Sequence, residues 1–286
     1  MNFIVPTDFS INAKIAAKYA MLLAQATNAN IRLLHITEPP LIGTDKLAAG
    51  YKEKVSLAKG EAAFQLEKLC SELNEDSDCI KCDYIIRVAE RSSEVIVSAA
   101  LNNKADFIVM GTRGAGAIKK LVLGSNTASV IEDSQIPVIV IPEKASLRSL
   151  KKIVFASEFR DSDVNAVKQL SIIASSFDAE IIILHIVQNK DEVKAEFSII
   201  DFFSAQVKKA TTYPKISYRV FKSESIEKGI ELFIDSVEAD MIALSARDRN
   251  PIEKLFSKSL TKELSFHSKV PLLAFHVKNN EVEYDL

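Results

Sequence analysis

The chain repeats itself, and that repetition limits the folds open to it more than any other feature. Ile31-Arg32-Leu33-Leu34-His35-Ile36 returns 150 positions later as Ile181-Ile182-Ile183-Leu184-His185-Ile186. At the same offset, Ile4-Val5-Pro6-Thr7-Asp8-Phe9 returns as Val154-Phe155-Ala156-Ser157-Glu158-Phe159. Further along the offset falls to 134. Ala105-Asp106-Phe107-Ile108-Val109-Met110 answers to Ala239-Asp240-Met241-Ile242-Ala243-Leu244, and Ile136-Pro137-Val138-Ile139-Val140 to Val270-Pro271-Leu272-Leu273-Ala274. One deletion between the second and third strands of the second copy accounts for both offsets. A chain of 286 residues built this way is two domains of ordinary size. They are expected at 1–145 and 150–279, joined by a polar, poorly patterned link near 143–151 and followed by a polar tail at 280–286.

Within each copy, short β runs alternate with helical stripes. In the first, strands are predicted at about 2–7, 31–36, 82–88, 106–110 and 137–141. Most are continuous apolar runs, as parallel strands buried on both faces require. Ala13, Ala16, Ala17, Ala20, Leu23 and Ala24 form a helical stripe, matched by Ala166, Val167, Leu170, Ile173 and Ala174. A longer helix carries Val55, Ala58, Ala62, Leu66, Leu69 and Leu73. Ser92, read as an N-cap, opens a third through Val95, Ile96, Ala99 and Ala100. The alternation predicts an α/β fold of two doubly wound, parallel, five-stranded sheets.

Bulk properties narrow the function classes. Hydrophobic residues at 48% and charged residues at 26% describe a globular chain rather than a disordered one. A net charge of −2 gives no electrostatic case for nucleic acid or an anionic membrane as partner. The longest apolar runs are strand-sized, too short to span a bilayer. Residues 1–6 read directly into a strand without a leader pattern, so a cytoplasmic location is expected. Three cysteines, Cys70, Cys79 and Cys82, are too few for a disulfide framework. Cys79 and Cys82 have half-zinc-site spacing, but no second pair lies nearby. Positions three apart on an extended chain also face opposite sides, so all three are read as structural. His35 and His185 sit at equivalent strand ends in both copies, which argues for structure over catalysis. No elbow-borne triad, metal-ligand cluster or base for hydrolysis is visible, and no catalytic or metal-binding residue is assigned.

Open α/β sheets bind ligands beyond the carboxyl ends of their strands. That directs attention to Pro6-Thr7-Asp8, to Ile36-Thr37, and to the segment after the fourth strand. The last reads Met110-Gly111-Thr112-Arg113-Gly114-Ala115-Gly116, then Leu123-Gly124-Ser125-Asn126-Thr127. Glycines let backbone N–H groups approach an anion, and a helix N-terminus adds unpaired donors. The hydroxyls of Ser125 and Thr127 are expected as further donors to phosphate. Lys119 and Lys120 read as solvated loop charges. Gly111-x4-Gly116 lacks the lysine of a Walker A loop, and Lys119 stands where a dinucleotide fingerprint needs its third glycine.

Gly111-x2-Gly114-x9-Gly124-Ser125 resembles the ATP-binding signature of universal stress proteins, Gly-x2-Gly-x9-Gly-Ser/Thr. Val5-Pro6-Thr7-Asp8-Phe9-Ser10, Leu33-Leu34-His35-Ile36 and Ile136-Pro137-Val138-Ile139-Val140 resemble that family's first, second and last strands. The resemblance covers both halves. It implies a Rossmann-like, adenine nucleotide α-hydrolase-like fold that holds ATP, with Mg²⁺ or Mn²⁺ through the phosphates. By position, Pro6, Thr7 and Asp8 would lie by the ribose and phosphates, and the Ile36 backbone would meet adenine. Met110 and Gly111 would line the pocket. Gly114, Gly124, Ser125, Asn126 and Thr127 would hold the phosphates, with a contact from Arg113 left open. Asp8 is the candidate carboxylate beside the cation.

In the second copy Ser245, Asp248 and Lys258 replace Gly111, Gly114 and Gly124. Asp248 opposes a triphosphate by charge and bulk. Ser259, aligned with Ser125, reads as a helix cap. One ATP site per chain is therefore expected, with the second copy as a partner domain. The family's habit of pairing final strands implies pairing of 137–141 with 271–275 inside one polypeptide, with homo-oligomers through other faces left open. The function implied is an ATP-binding stress-response protein whose nucleotide modulates conformation or partner interaction. A slow ATPase or nucleotide-cleaving enzyme, and a scaffold without nucleotide, remain open on sequence.

Overall fold

Five apolar runs of the first copy become five parallel strands, and five of the second do the same. The computed structural model describes residues 1–39, 49–75, 80–112, 124–188, 192–246 and 269–276. The chain divides into two compact units, Met1–Glu143 and Lys144–Leu286.

The first unit runs β1 (Asn2–Pro6), α1 (Ile11–Thr27), β2 (Asn30–Thr37), α2 (Ala49–Asn74), β3 (Cys82–Val88), α3 (Ser92–Asn102), β4 (Phe107–Gly111), α4 (Ser125–Asp133) and β5 (Val138–Ile141). Its strand order is β3-β2-β1-β4-β5, with every ladder parallel. Connections run outward from β1 to β3 and then return to its other side, so order reverses between β1 and β4. Such a switch point opens a crevice at the strands' carboxyl ends.

The second unit runs β6 (Lys152–Ala156), α5 (Asp161–Phe177), β7 (Glu180–Val187), α6 (Glu192–Ala210), β8 (Ile216–Lys222), α7 (Ile226–Val237), β9 (Met241–Ala246) and β10 (Leu272–His276). Its order, β8-β7-β6-β9-β10, repeats that of the first unit, again with parallel ladders. The duplicated sequence thus gives a duplicated topology.

Local chemistry explains why the repeated words recur. Ser10 caps α1 by accepting the Ala13 N–H, and Asn28 ends the helix in the left-handed region at φ 52°. Asp178 ends α5 in the same way at φ 55°. The stripe Ala13, Ala16, Ala17, Ala20 and Ala24 is buried, its small side chains suited to close helix–sheet approach. The repeated Ala-Asp pair works as a clamp on the central strand of each unit. Asp106 accepts the Asn2 N–H at 2.7 Å, and Asp240 accepts the equivalent Lys152 N–H at 3.0 Å. Arg148 adds an ion pair to the buried Asp240 at 2.6 Å. A hydrogen bond to a charged group contributes about 1.5–3 kcal/mol.

One expected boundary shifts. Ser92 is the first residue of α3 rather than its cap; extended Arg91 precedes the helix and supplies no side-chain cap bond. The chain leaves β3 after Val88 and turns early enough to bring Ser92 to the crevice. No described helix is long and apolar enough to cross a membrane.

Candidate functional site

The turn after β1 is held by its own polar side chains. The Thr7 N–H extends the β1–β2 ladder to the Leu34 carbonyl at 2.9 Å. Thr7 Oγ1 accepts the Phe9 N–H and Asp8 Oδ1 accepts the Ser10 N–H, both at 3.1 Å. Phe9 takes φ 63°, a left-handed conformation that a non-glycine residue adopts at a cost. His35 offsets it: Nδ1 donates to the Thr7 carbonyl at 2.9 Å while the ring stacks on Phe9 at 4.5 Å. That donation fixes the Nδ1–H tautomer. The second unit repeats the device through His185, Ser157 and Phe159, with a 2.8 Å hydrogen bond, a 4.8 Å stack and φ 56°. A clamp present in both units is a structural element of the turn.

The start of α4 is tied to the end of β4 twice. The Gly124 N–H donates to the Thr112 carbonyl at 2.7 Å, and Thr127 Oγ1 donates to the Gly111 carbonyl at 3.0 Å. Thr127 is buried, and its hydroxyl proton is committed to the protein. The hydroxyl expected from the sequence as a phosphate donor is thus engaged with the Gly111 carbonyl here, and the Thr127 main-chain N–H lies in the first turn of α4. Gly124 caps without a side chain. The first-turn N–H groups of Ser125, Asn126 and Thr127 thus have no intrahelical acceptors and carry the positive end of the helix dipole.

Between these structures lies an open cleft of about 550 Å³, counted to its mouth. Pro6, Thr7 and Asp8 line it from the β1 turn, Leu34 and Ile36 from β2, and Met110 and Gly111 from β4. Ala13 of α1, Ser92 and Ile96 of α3, and Asn126 and Thr127 of α4 complete it. An apolar wall of Leu34, Ile36, Ile96 and Met110 thus faces a few polar groups. That is the usual make-up of a small-molecule site. Asp8 is the one charged side chain among the described lining residues.

Eight residues expected from the sequence meet here: Pro6, Thr7, Asp8, Ile36, Met110, Gly111, Asn126 and Thr127. Gly124 and Ser125 open α4 beside them without lining the cleft. Arg113 and Gly114 lie outside the described residues, as do Lys119 and Lys120. Gly111 has a packing reason for lacking a side chain as well as a place in the cleft lining. A Cβ there would stand 3.0 Å from the Asn12 carbonyl oxygen and 3.1 Å from its carbon, at the first turn of α1.

The model of the universal stress protein family matches twice, over residues 1–142 and 149–276. The chain belongs to the universal stress protein family. A universal stress protein of Thermus aquaticus is 35% identical over 134 residues, covering 47% of this chain and 93% of the relative. One from Methanocaldococcus jannaschii is 29% identical over 155 residues, covering 49% and 94%. Nearly the whole of each relative corresponds to half of this chain, as a tandem member requires. A universal stress protein structure from Archaeoglobus fulgidus aligns over 98% of this chain and 97% of its own, with a TM-score of 0.72 and 20% identity, and so shares the fold.

The two universal stress protein units differ where the cleft lies. Asp163 occupies the place of Ala13, and it is buried. Its Oδ2 accepts the Ser157 hydroxyl at 2.8 Å, the Glu158 N–H at 3.1 Å and the Arg160 N–H at 3.4 Å. The carboxylate thus occupies the donors of the β6–α5 turn. Ile226 stands where the first unit has Ser92, and Ser245 where it has Gly111. Ser245 Oγ is buried with no hydrogen-bond partner among the described residues. Asp248, Lys258 and Ser259, on which the sequence contrast rested, lie outside them. Asp163 was missed because the copies were compared glycine by glycine. The Ala13–Asp163 pair at offset 150 was the available signal.

Proposed function

We propose that the first unit binds one ATP in the cleft at the carboxyl ends of β1, β2 and β4, and that the bound nucleotide modulates conformation or partner binding in a cytoplasmic stress response. The observation that carries this reading is the pairing of an apolar wall with the uncapped N-terminus of α4 across one cleft. Leu34, Ile36 and Ile96 offer an adenine ring a flat apolar surface. Thr7, Asp8 and Ser92 offer ribose hydroxyls both donors and acceptors. The first-turn N–H groups of α4 suit phosphate oxygens, a preference worth about 0.3–1 kcal/mol for each charge at an exposed helix end. Gly114 and Ser125 would complete the phosphate cradle by family position.

Mg²⁺ or Mn²⁺ would be held chiefly through the phosphates, with Asp8 as the carboxylate at hand. Among the described residues no three His, Cys, Asp or Glu side chains gather into a metal site. The described lining also has no histidine, cysteine, lysine or arginine to serve as a proton-transfer group. The second unit, with Asp163 and Ser245 in the corresponding places, serves as a partner domain.

Calorimetric titration of the full chain with Mg-ATP tests the reading. Saturable binding is expected, with loss of binding in Gly114→Asp and turnover far below the roughly 10 per second of an ordinary enzyme. Absence of binding, or unchanged binding in Gly114→Asp, would overturn the assignment. Rapid hydrolysis abolished in Asp8→Asn would make the protein an enzyme instead.

A further inference from the structure

All three cysteines of the chain fall in the first unit. Cys70, near the C-terminal end of α2, is buried, and Cys82, the first residue of β3, is half-buried. Their Sγ atoms stand 2.6 Å apart, inside ordinary van der Waals contact, and both are free thiols. A sequence separation of 12 across a helix, a turn and a strand gives no hint of this meeting. The hydrogen bond between the two sulfurs draws the Cys70 thiol down, while that same hydrogen bond and burial push Cys82 up. The fold does not need the pair. In the second unit Ile216 holds the place of Cys82, at the same register against Ile181 that Cys82 has against Ile31.

We propose that Cys70 and Cys82 form an oxidative modification site, a dithiol that hydroperoxides convert to an intramolecular disulfide joining α2 to β3. The Cys70 thiolate attacks the peroxide; the O–O bond breaks, giving Cys70 sulfenic acid and, from hydrogen peroxide, a hydroxide that takes up a proton as water (an alkyl hydroperoxide leaves an alcohol instead). The Cys82 sulfur then attacks the Cys70 sulfur. The S–O bond breaks, and a second water leaves with the Cys82 proton. The two sulfurs together lose two electrons, and one hydroperoxide is reduced. Because the second sulfur is already in contact, disulfide formation outruns further oxidation of the sulfenic acid. The bridge closes a loop over residues 71–81, which restricts the unfolded chain. The pair sits at the amino end of β3, opposite the cleft, so this site stands independently of the nucleotide reading.

Digestion with trypsin together with a Glu-specific protease puts each cysteine on its own peptide: 69–72, 76–81 and 82–87. The full-length wild-type chain is treated with hydrogen peroxide, remaining thiols are alkylated under denaturing conditions, and the digest is read without reductant. The expected result is a 69–72/82–87 linked pair and a two-hydrogen mass loss in the intact monomer, both reversed by dithiothreitol and absent in Cys70→Ser. In the oxidised protein, hydrogen exchange at the end of α2 and the start of β3 should slow. Recovery of both peptides alkylated, sulfinic or sulfonic acid at either residue, or linkage solely through Cys79 or between chains would overturn the proposal.

Discussion

Replacing Gly111 by alanine puts the account of the β4–α1 contact at risk. The added Cβ would meet the Asn12 carbonyl oxygen at 3.0 Å, its carbon at 3.1 Å and its Cβ at 3.2 Å, where ordinary contact begins at 3.4 Å. The first turn of α1 must therefore retreat by about 0.4 Å. That turn is pinned: Ser10 Oγ holds the Ala13 N–H at 3.2 Å, and the Lys14 N–H closes on the Ser10 carbonyl at 3.0 Å. Overpacking of this kind costs about 1–3 kcal/mol. At about 1.4 kcal/mol per tenfold, hydrogen-exchange protection in peptides from α1 and β4 should fall roughly 5- to 140-fold. Reading those peptides separately avoids treating a two-unit chain as a single transition. Ser245→Ala at the equivalent place should leave protection of β9 unchanged or raised, because it removes a buried hydroxyl with no described partner. Wild-type protection in Gly111→Ala would refute the packing argument.

Three further outcomes are expected. Ala13→Asp imports the Asp163 carboxylate into the cleft; a like-charge pair about 6 Å apart costs about 3 kcal/mol at an effective dielectric of 20. ATP affinity by calorimetric titration should fall about 100-fold, and an unchanged value would put the triphosphate elsewhere. His35→Ala and His185→Ala should destabilise their own units to a similar extent, about 1–3 kcal/mol each, through a carbonyl left without its donor. A catalytic His35 would instead show itself as lost chemistry with stability intact. Glu231 on α7 has its carboxyl pushed up to about 7, first by burial and then by Asp235 and Glu227 one turn away on either side. The folded state binds this proton more tightly than the unfolded chain, so the stabilisation is present in acid and lost as pH rises towards 7. Glu231→Gln should flatten that decline in urea melts between pH 5 and 8; an unaltered profile would remove Glu231 as its source.

What could be read in advance followed from what each residue type is needed for. Strands buried on both faces announce themselves as apolar runs, so β1, β4 and β5 were placed within about a residue. Glycines and polar residues at strand ends mark a phosphate-type site, which drew in Thr7, Asp8, Gly111, Asn126 and Thr127. Leu34, Ile96 and Ala13 line the same cleft but look like any core residue; topology alone brings them there. Ser92 seemed a cap because the capping preference of serine is the stronger local rule. No sequence pattern shows that the Thr127 hydroxyl lies within reach of the Gly111 carbonyl. Cys70 and Cys82 are joined by tertiary packing across a helix and a strand, which neither residue's periodicity reveals.

One unit is expected to bind nucleotide and the other not, and a count of bound sites decides it. Equilibrium dialysis of the full chain against radiolabelled ATP with Mg²⁺ should saturate at one nucleotide per polypeptide. Ala13→Asp should abolish that site at the same concentrations, while Asp163→Ala leaves the count unchanged. Two equivalent sites per chain, or one site that survives Ala13→Asp and disappears with Asp163→Ala, would contradict the account.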